Sequence, residues 1–126
     1  MTELLVHRCF KEASPDLIAY YERRQGTGPL KLEIFRGYRP DFKVLSLKEE
    51  SIQFMIESGE AVSLLNIDET TDHPFKGILL NKTMRAGFAL PVETGNFLFF
   101  NFLHPYRFSF DQIRKIEALI NRWRNS

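Results

Sequence analysis

The spacing of hydrophobic residues changes along this chain, and each change predicts a different element. Leu4, Leu5, Val6, Cys9 and Phe10 give a broad apolar face from about Glu3 to Ala13, as in a short amphipathic helix, and Ser14-Pro15 stops it. Asp16–Gln25 and Pro29–Tyr38 read as a β-hairpin closed by Gly26-Thr27-Gly28. Leu30, Leu32, Ile34 and Tyr38 fall mainly on one side of its second arm, with Lys31, Glu33 and Arg39 near the other. Ser46-Leu47-Lys48-Glu49 is a capping box, which predicts a helix starting at Ser46 with Ile52, Met55 and Ile56 on one face. Ser58-Gly59 offers that helix a left-handed stop, and Ala61–Ile67 follows as a strand. Asp68 to about Thr83 is a polar loop leading through Phe75–Leu80, the kind of segment that carries function more often than a core does. Arg85–Val92 and Phe97–Leu103 form a second hairpin around Glu93-Thr94-Gly95-Asn96. Both arms are apolar nearly throughout, which predicts strands covered on both faces and a sheet with room for a pocket. Asp111–Arg124 closes the chain as a helix, with Ser109 as its N-cap.

Composition narrows the class. With 126 residues, 44% of them hydrophobic, the chain can bury the core of one domain, and no repeat or linker divides it, so residues 1–126 are read as a single domain. No apolar run approaches the ~20 residues that span a bilayer, and Met1–Arg8 lacks the basic start and long apolar stretch of a signal peptide. A cytoplasmic location without a membrane partner is expected. Seventeen basic and 16 acidic residues leave a formal charge of +1, too little to hold a polyanion, so nucleic acid is not an expected partner. The single cysteine, Cys9, allows neither an intrachain disulfide nor a multi-cysteine zinc site, and reads as a small buried hydrophobe.

Few residues suggest chemistry. Arg85 opens an otherwise apolar strand, where its guanidinium could clamp a carboxylate or phosphate; the plain alternative is a strand-end arginine in water or paired with Asp68 or Asp72. Asp68, Thr70 and Thr71 offer hydrogen bonds from the loop and are equally ordinary turn residues. His73 titrates near neutrality but has no serine or cysteine nucleophile placed beside it. His7 and His104 lie on unrelated elements, so neither a catalytic nor a metal site is expected. Ile113, Ile116, Ile120 and Trp123 recur at spacings of three, four and three, which suits a helix seam in a homodimer, or burial against the chain's own sheet with Leu119.

The order α-ββ-α-β-loop-ββ-α, with Leu32-Glu33-Ile34-Phe35-Arg36-Gly37, Glu50–Val62, Asn66-Ile67-Asp68, Met84–Val92, Gly95–Asn101 and Phe108-Ser109-Phe110-Asp111 in sequence, resembles the GAF domain, a small-molecule sensing and dimerising signalling module; the PAS-like fold is the second choice. The resemblance implies an α+β fold: an antiparallel five- or six-stranded sheet with the N- and C-terminal helices on one face and a pocket helix and loop on the other. It also implies a non-catalytic sensory domain that binds a small ligand, of unknown identity, between the sheet and loop 68–83. The site would be drawn from Phe54, Ile67, Asp68, Thr70, Phe75, Arg85 and Phe88, and the signal would pass through helix-mediated dimerisation to a partner protein. Cyclic-nucleotide phosphodiesterase GAF domains carry an asparagine-lysine pair after the last strand; here Phe102 follows Asn101. The alternative reading is a ligand-free interaction module, its core filled by the 12 phenylalanines.

Overall fold

A computed structural model describes residues 2–23, 28–69, 72–93 and 95–125. Gly26, Thr27, Thr70, Thr71 and Thr94, named above for turns and loop, lie outside them. Strands β1 (Leu17–Glu22), β2 (Leu30–Gly37), β3 (Val44–Leu45), β4 (Val62–Leu64), β5 (Ala86–Glu93) and β6 (Asn96–Phe102) form one antiparallel sheet in the order β3-β2-β1-β6-β5-β4. β1 and β6, the central pair, are the most apolar strands, and their alternate residues build two separate cores. Ile18, Tyr20, Leu98, Phe100 and Phe102 face helices α1 (Thr2–Ala13) and α3 (Phe110–Arg124). Leu17, Ala19, Tyr21, Phe97 and Phe99 face α2 (Glu50–Ser58) and the segment around the 3₁₀ turn Lys76–Ile78. This is the two-sided α+β arrangement expected from the pattern.

The helix ends explain themselves. α1 stops where Ser14 takes a left-handed φ of 48° ahead of Pro15, its N–H bonded to Phe10 O at 2.8 Å. Ser109 Oγ accepts from Gln112 N at 3.1 Å and caps α3. Gly59, at φ 71°, closes α2 with its N–H on Met55 O. The start of α2 differs from expectation. Ser46 Oγ accepts from Lys48 N at 3.1 Å in a turn, and the helix begins at Glu50 with Glu49 as N-cap, both carboxylate oxygens accepting from Ser51 N at 3.0 and 2.9 Å. That carboxylate lies against Gly77, where a Cβ would sit 2.1 Å from Oε1, so the cap is fixed by the segment packed on it.

Three further departures come from the strands. β2 pairs Ile34 with Tyr20 but Leu32 with Tyr21, so Glu33 is an extra residue. The bulge turns Ile34 to the α1–α3 face while Leu30 and Leu32 stay on the α2 face, and the single apolar side read from the sequence is split in two. β3 was not anticipated from its short sequence. β4 is shorter than expected because a 3₁₀ turn begins at Ile67, whose N–H bonds Arg85 O at 2.8 Å.

Candidate functional site

Asn101 is the one buried polar residue of β6, fully buried on the α2 face. Its Oδ1 accepts from Leu80 N at 2.6 Å and its Nδ2 donates to Ile78 O at 2.9 Å. One amide thus satisfies two backbone groups and pins 78–80 to the sheet. Gly87, the neighbour of Asn101 on β5, permits this approach: a Cβ there would lie 2.9 Å from Leu79 Cδ2 and 3.3 Å from Asn101 Nδ2. Beneath the staple, Ile78, Leu80 and Met84 are buried with Phe99, Ile52 and Met55. Ile78, Leu80 and Met84 thus lie in the layer between sheet and loop in which a ligand was expected.

The residues singled out for that site divide into groups. Arg85 Nη1 meets Asp68 Oδ1 at 3.6 Å, with the side chains 44% and 61% exposed, which is the paired, strand-end alternative. Solvent screening holds such a pair to about 0–1 kcal/mol. Phe54 and Phe75 meet tilted at 5.2 Å on the outside of α2, and His73 joins them 5.8 Å from Phe75, its Nδ1 accepting from Phe75 N at 3.0 Å. Ile67 packs at the margin of the α2-side core. Thr70 lies outside the described residues. Phe88 does not belong with them: two-residue alternation along β5 sends Ala89 to the α2 face and Phe88 to the opposite one, 4.5 Å from Phe108 and 6.1 Å from Phe100.

The α3 stripe packs within the chain. Ile116 and Ile120 are buried, Ile113 packs beside them, and Trp123 meets Tyr20 edge-on at 6.2 Å. The stripe faces the sheet and α1, which is the alternative of burial against the chain's own sheet, and Ile113 and Trp123 remain half-buried at its margin. Cys9 is fully buried in the same core, and burial, with Glu12 adding to it, pushes its thiol from 9.0 up to about 12; it is not a reactive nucleophile.

An open cleft of about 360 Å³ lies elsewhere on the α2 side, at the end of the sheet that carries the β5–β6 turn. β4 pairs only with 87–89, which leaves the outer edge of β5 bare from Pro91 onward, and the C-terminal end of α2 at Ile56 and Gly59 stands across the gap. Met55, Pro91 and Phe97 give an apolar floor. Arg23, Glu93 and Arg124 line the rim. Sequence reasoning missed this site because its members come from the ends of five elements and form no motif. Asn101 did leave a signal, an amide inside the apolar run Phe97–Phe102.

No protein family and no curated protein matches the sequence. The structure itself is similar to several that are solved. The type II free methionine-R-sulfoxide reductase from Thermoplasma acidophilum superimposes with a TM-score of 0.74 at 13% identity, over 94% of this chain and 84% of that one. The free methionine-R-sulfoxide reductase from Neisseria meningitidis gives 0.69 at 15%, over 94% and 74%. The GAF domain of a two-component sensor histidine kinase from Bacillus halodurans gives 0.75 at 10%, over 97% and 90%. The chain therefore has a GAF-like fold, and at these identities the likeness shows the fold alone. One expectation is overturned: the fold does not imply a non-catalytic domain, since it is shared with reductases as well as with sensor domains. No described helix is long and apolar enough to cross a membrane.

Proposed function

We propose that this chain is a sensory or regulatory domain that binds a small organic molecule in the cleft between the end of α2 and the exposed edge of β5. The observation that carries this reading is the cleft itself: about 360 Å³, with an apolar floor and a few charged groups at its rim, on the sheet face where α2 packs. Its size lies within the ~300–1,000 Å³ of small-molecule sites, and its lining has their usual composition. The GAF-like fold supports the class of function.

A second placement, under 72–84 beside Arg85 and Asp68, requires the Asn101 staple to open, because Ile78, Leu80 and Met84 occupy that space. Thermal unfolding across a panel of nucleotides, cyclic nucleotides, amino acids, keto acids and tetrapyrroles tests both. A ligand at about 100 times its dissociation constant adds about 2.7 kcal/mol, a rise of roughly 10 °C in a domain of this size. The cleft reading expects a shift that Ile56→Trp abolishes and Arg85→Ala leaves intact. The reverse pattern places the ligand under the loop, and a flat panel overturns ligand binding altogether.

A further inference from the structure

We infer that the cleft takes a small carboxylic acid with a compact apolar body, its carboxylate held by Arg23 and Arg124. The inference rests on the ligand-binding reading above and adds the chemistry of the ligand. Arg23 follows β1. Its backbone N–H is fixed to Gly95 O at 3.0 Å, and its side chain lies over Gly95, where a Cβ would come within 3.1 Å of Nε and 3.4 Å of Nη2. Gly95 has φ 81°, so the turn that seats this guanidinium is itself one that favours glycine. Arg124 is the last residue of α3 and is exposed at the same cleft.

Among the described residues neither guanidinium makes an ion pair, although Glu93 shares the rim. Two guanidinium groups and one carboxylate leave the rim at +1, which one carboxylate neutralises. A phosphate dianion would exceed that charge and would also meet Glu93. The planar fork of arginine matches a carboxylate in two parallel hydrogen bonds. The floor of Met55, Pro91 and Phe97 offers no charge and suits an apolar body. A carboxylate bound to both arginines would tie the end of β1 to the end of α3.

Isothermal titration with hexanoate and phenylacetate, their neutral amides and inorganic phosphate tests the inference. The acids should bind at least tenfold more tightly than the amides. Arg23→Gln and Arg124→Gln, both substitutions of surface side chains, should each weaken the acids about tenfold without changing the amides, and Glu93→Gln should tighten the acids several-fold. Amides equal to the acids, or phosphate equal to them, would overturn the carboxylate assignment while leaving the cleft a binding site. No binding of either acid also overturns it. The wider reading then stands only if another ligand of the panel is lost in Ile56→Trp, and falls with it if the panel is flat.

Discussion

Asn101 is the position where one side chain decides the most, and Asn101→Leu isolates its effect. The substitution keeps the number of side-chain heavy atoms but orphans Leu80 N–H and Ile78 C=O, which the amide meets at 2.6 and 2.9 Å in a fully buried setting. Each buried group left without a partner costs about 1–3 kcal/mol. The added apolar burial of leucine returns about 1 kcal/mol. The net loss is therefore about 1–5 kcal/mol, or roughly 4–20 °C in the unfolding midpoint at this chain length. Urea denaturation reads it as a lowered midpoint with an unchanged slope, and hydrogen exchange should show the Leu80 amide losing protection ahead of β6. Asn101→Asp adds a sign test. Its carboxylate keeps Leu80 N–H but faces Ile78 O, and burial raises its pKa above the usual value of about 3.9. A raised folded pKa disfavours the folded state above the unfolded value, so this variant regains stability as the pH falls through the raised pKa towards about 4. A loss smaller than about 0.5 kcal/mol in Asn101→Leu would refute the staple.

Gly37→Ala forces a side chain at φ 83° and a Cβ 2.2 Å from Asp16 O, so it should cost at least about 3 kcal/mol, whereas Gly59→Ala, at φ 71° with nothing within 4 Å, should cost about 1 kcal/mol; paired denaturant curves compare them. Ile116→Ala removes a fully buried side chain between α3, α1 and the sheet and should cost about 2–5 kcal/mol, with no change in sedimentation of the folded protein; a shift in oligomeric state would restore the interchain seam. Alkaline pH should destabilise the fold. Burial raises Cys9 from 9.0 and Tyr20 from 10.0 to about 12 each, and Tyr21 upward as well, with the charge of Glu93 adding to the shift of Tyr20. Groups raised in the folded state leave stability level below their unfolded values and remove it as pH climbs from there to the folded ones, so urea midpoints should fall above pH 9.0, later in Cys9→Ala.

Much of the fold was legible because the strongest signals were local. Ser14-Pro15, Ser58-Gly59 and Ser109 act through the backbone of their own turn, and each ends or starts a helix where expected. The apolar arms of the second hairpin could only be strands covered twice. Errors came where a contact distant in sequence overrides a local rule. The capping box at Ser46 has correct spacing, yet Glu49 takes the cap from its own carboxylate, wedged against Gly77. An extra residue at Glu33 reverses the facing of β2 beyond it, and alternation read from one end of such a strand cannot reveal the slip. Phe88 was placed on the wrong face, and the α3 stripe left with two readings, for a related reason. Hydrophobic spacing tells which residues seek cover but not which of two cores, or a second chain, supplies it. The cleft left the faintest trace, since Arg23, Glu93 and Arg124 resemble any solvated charges until the fold gathers them.

The two faces of the sheet are held by different means, and the difference bears on function. On one side α1 and α3 lie against a continuous layer that runs from Leu5 to Ile120, with Tyr106, Phe108 and Trp123 closing its margin. On the other, the cover is a nine-residue helix, a 3₁₀ turn and a loop, and its firmest attachment to β6 is the pair of hydrogen bonds from Asn101. A short helix and irregular backbone bury less per residue than a long helix, so local opening should begin on the α2 face. The cleft adjoins that weaker cover through Met55 and Ile56 and reaches the stronger one through Val92 and Arg124. A ligand seated there would touch both. It can change the protein only by binding one arrangement of these elements more tightly than another, and the cleft lies where α2, β5, β1 and α3 all end.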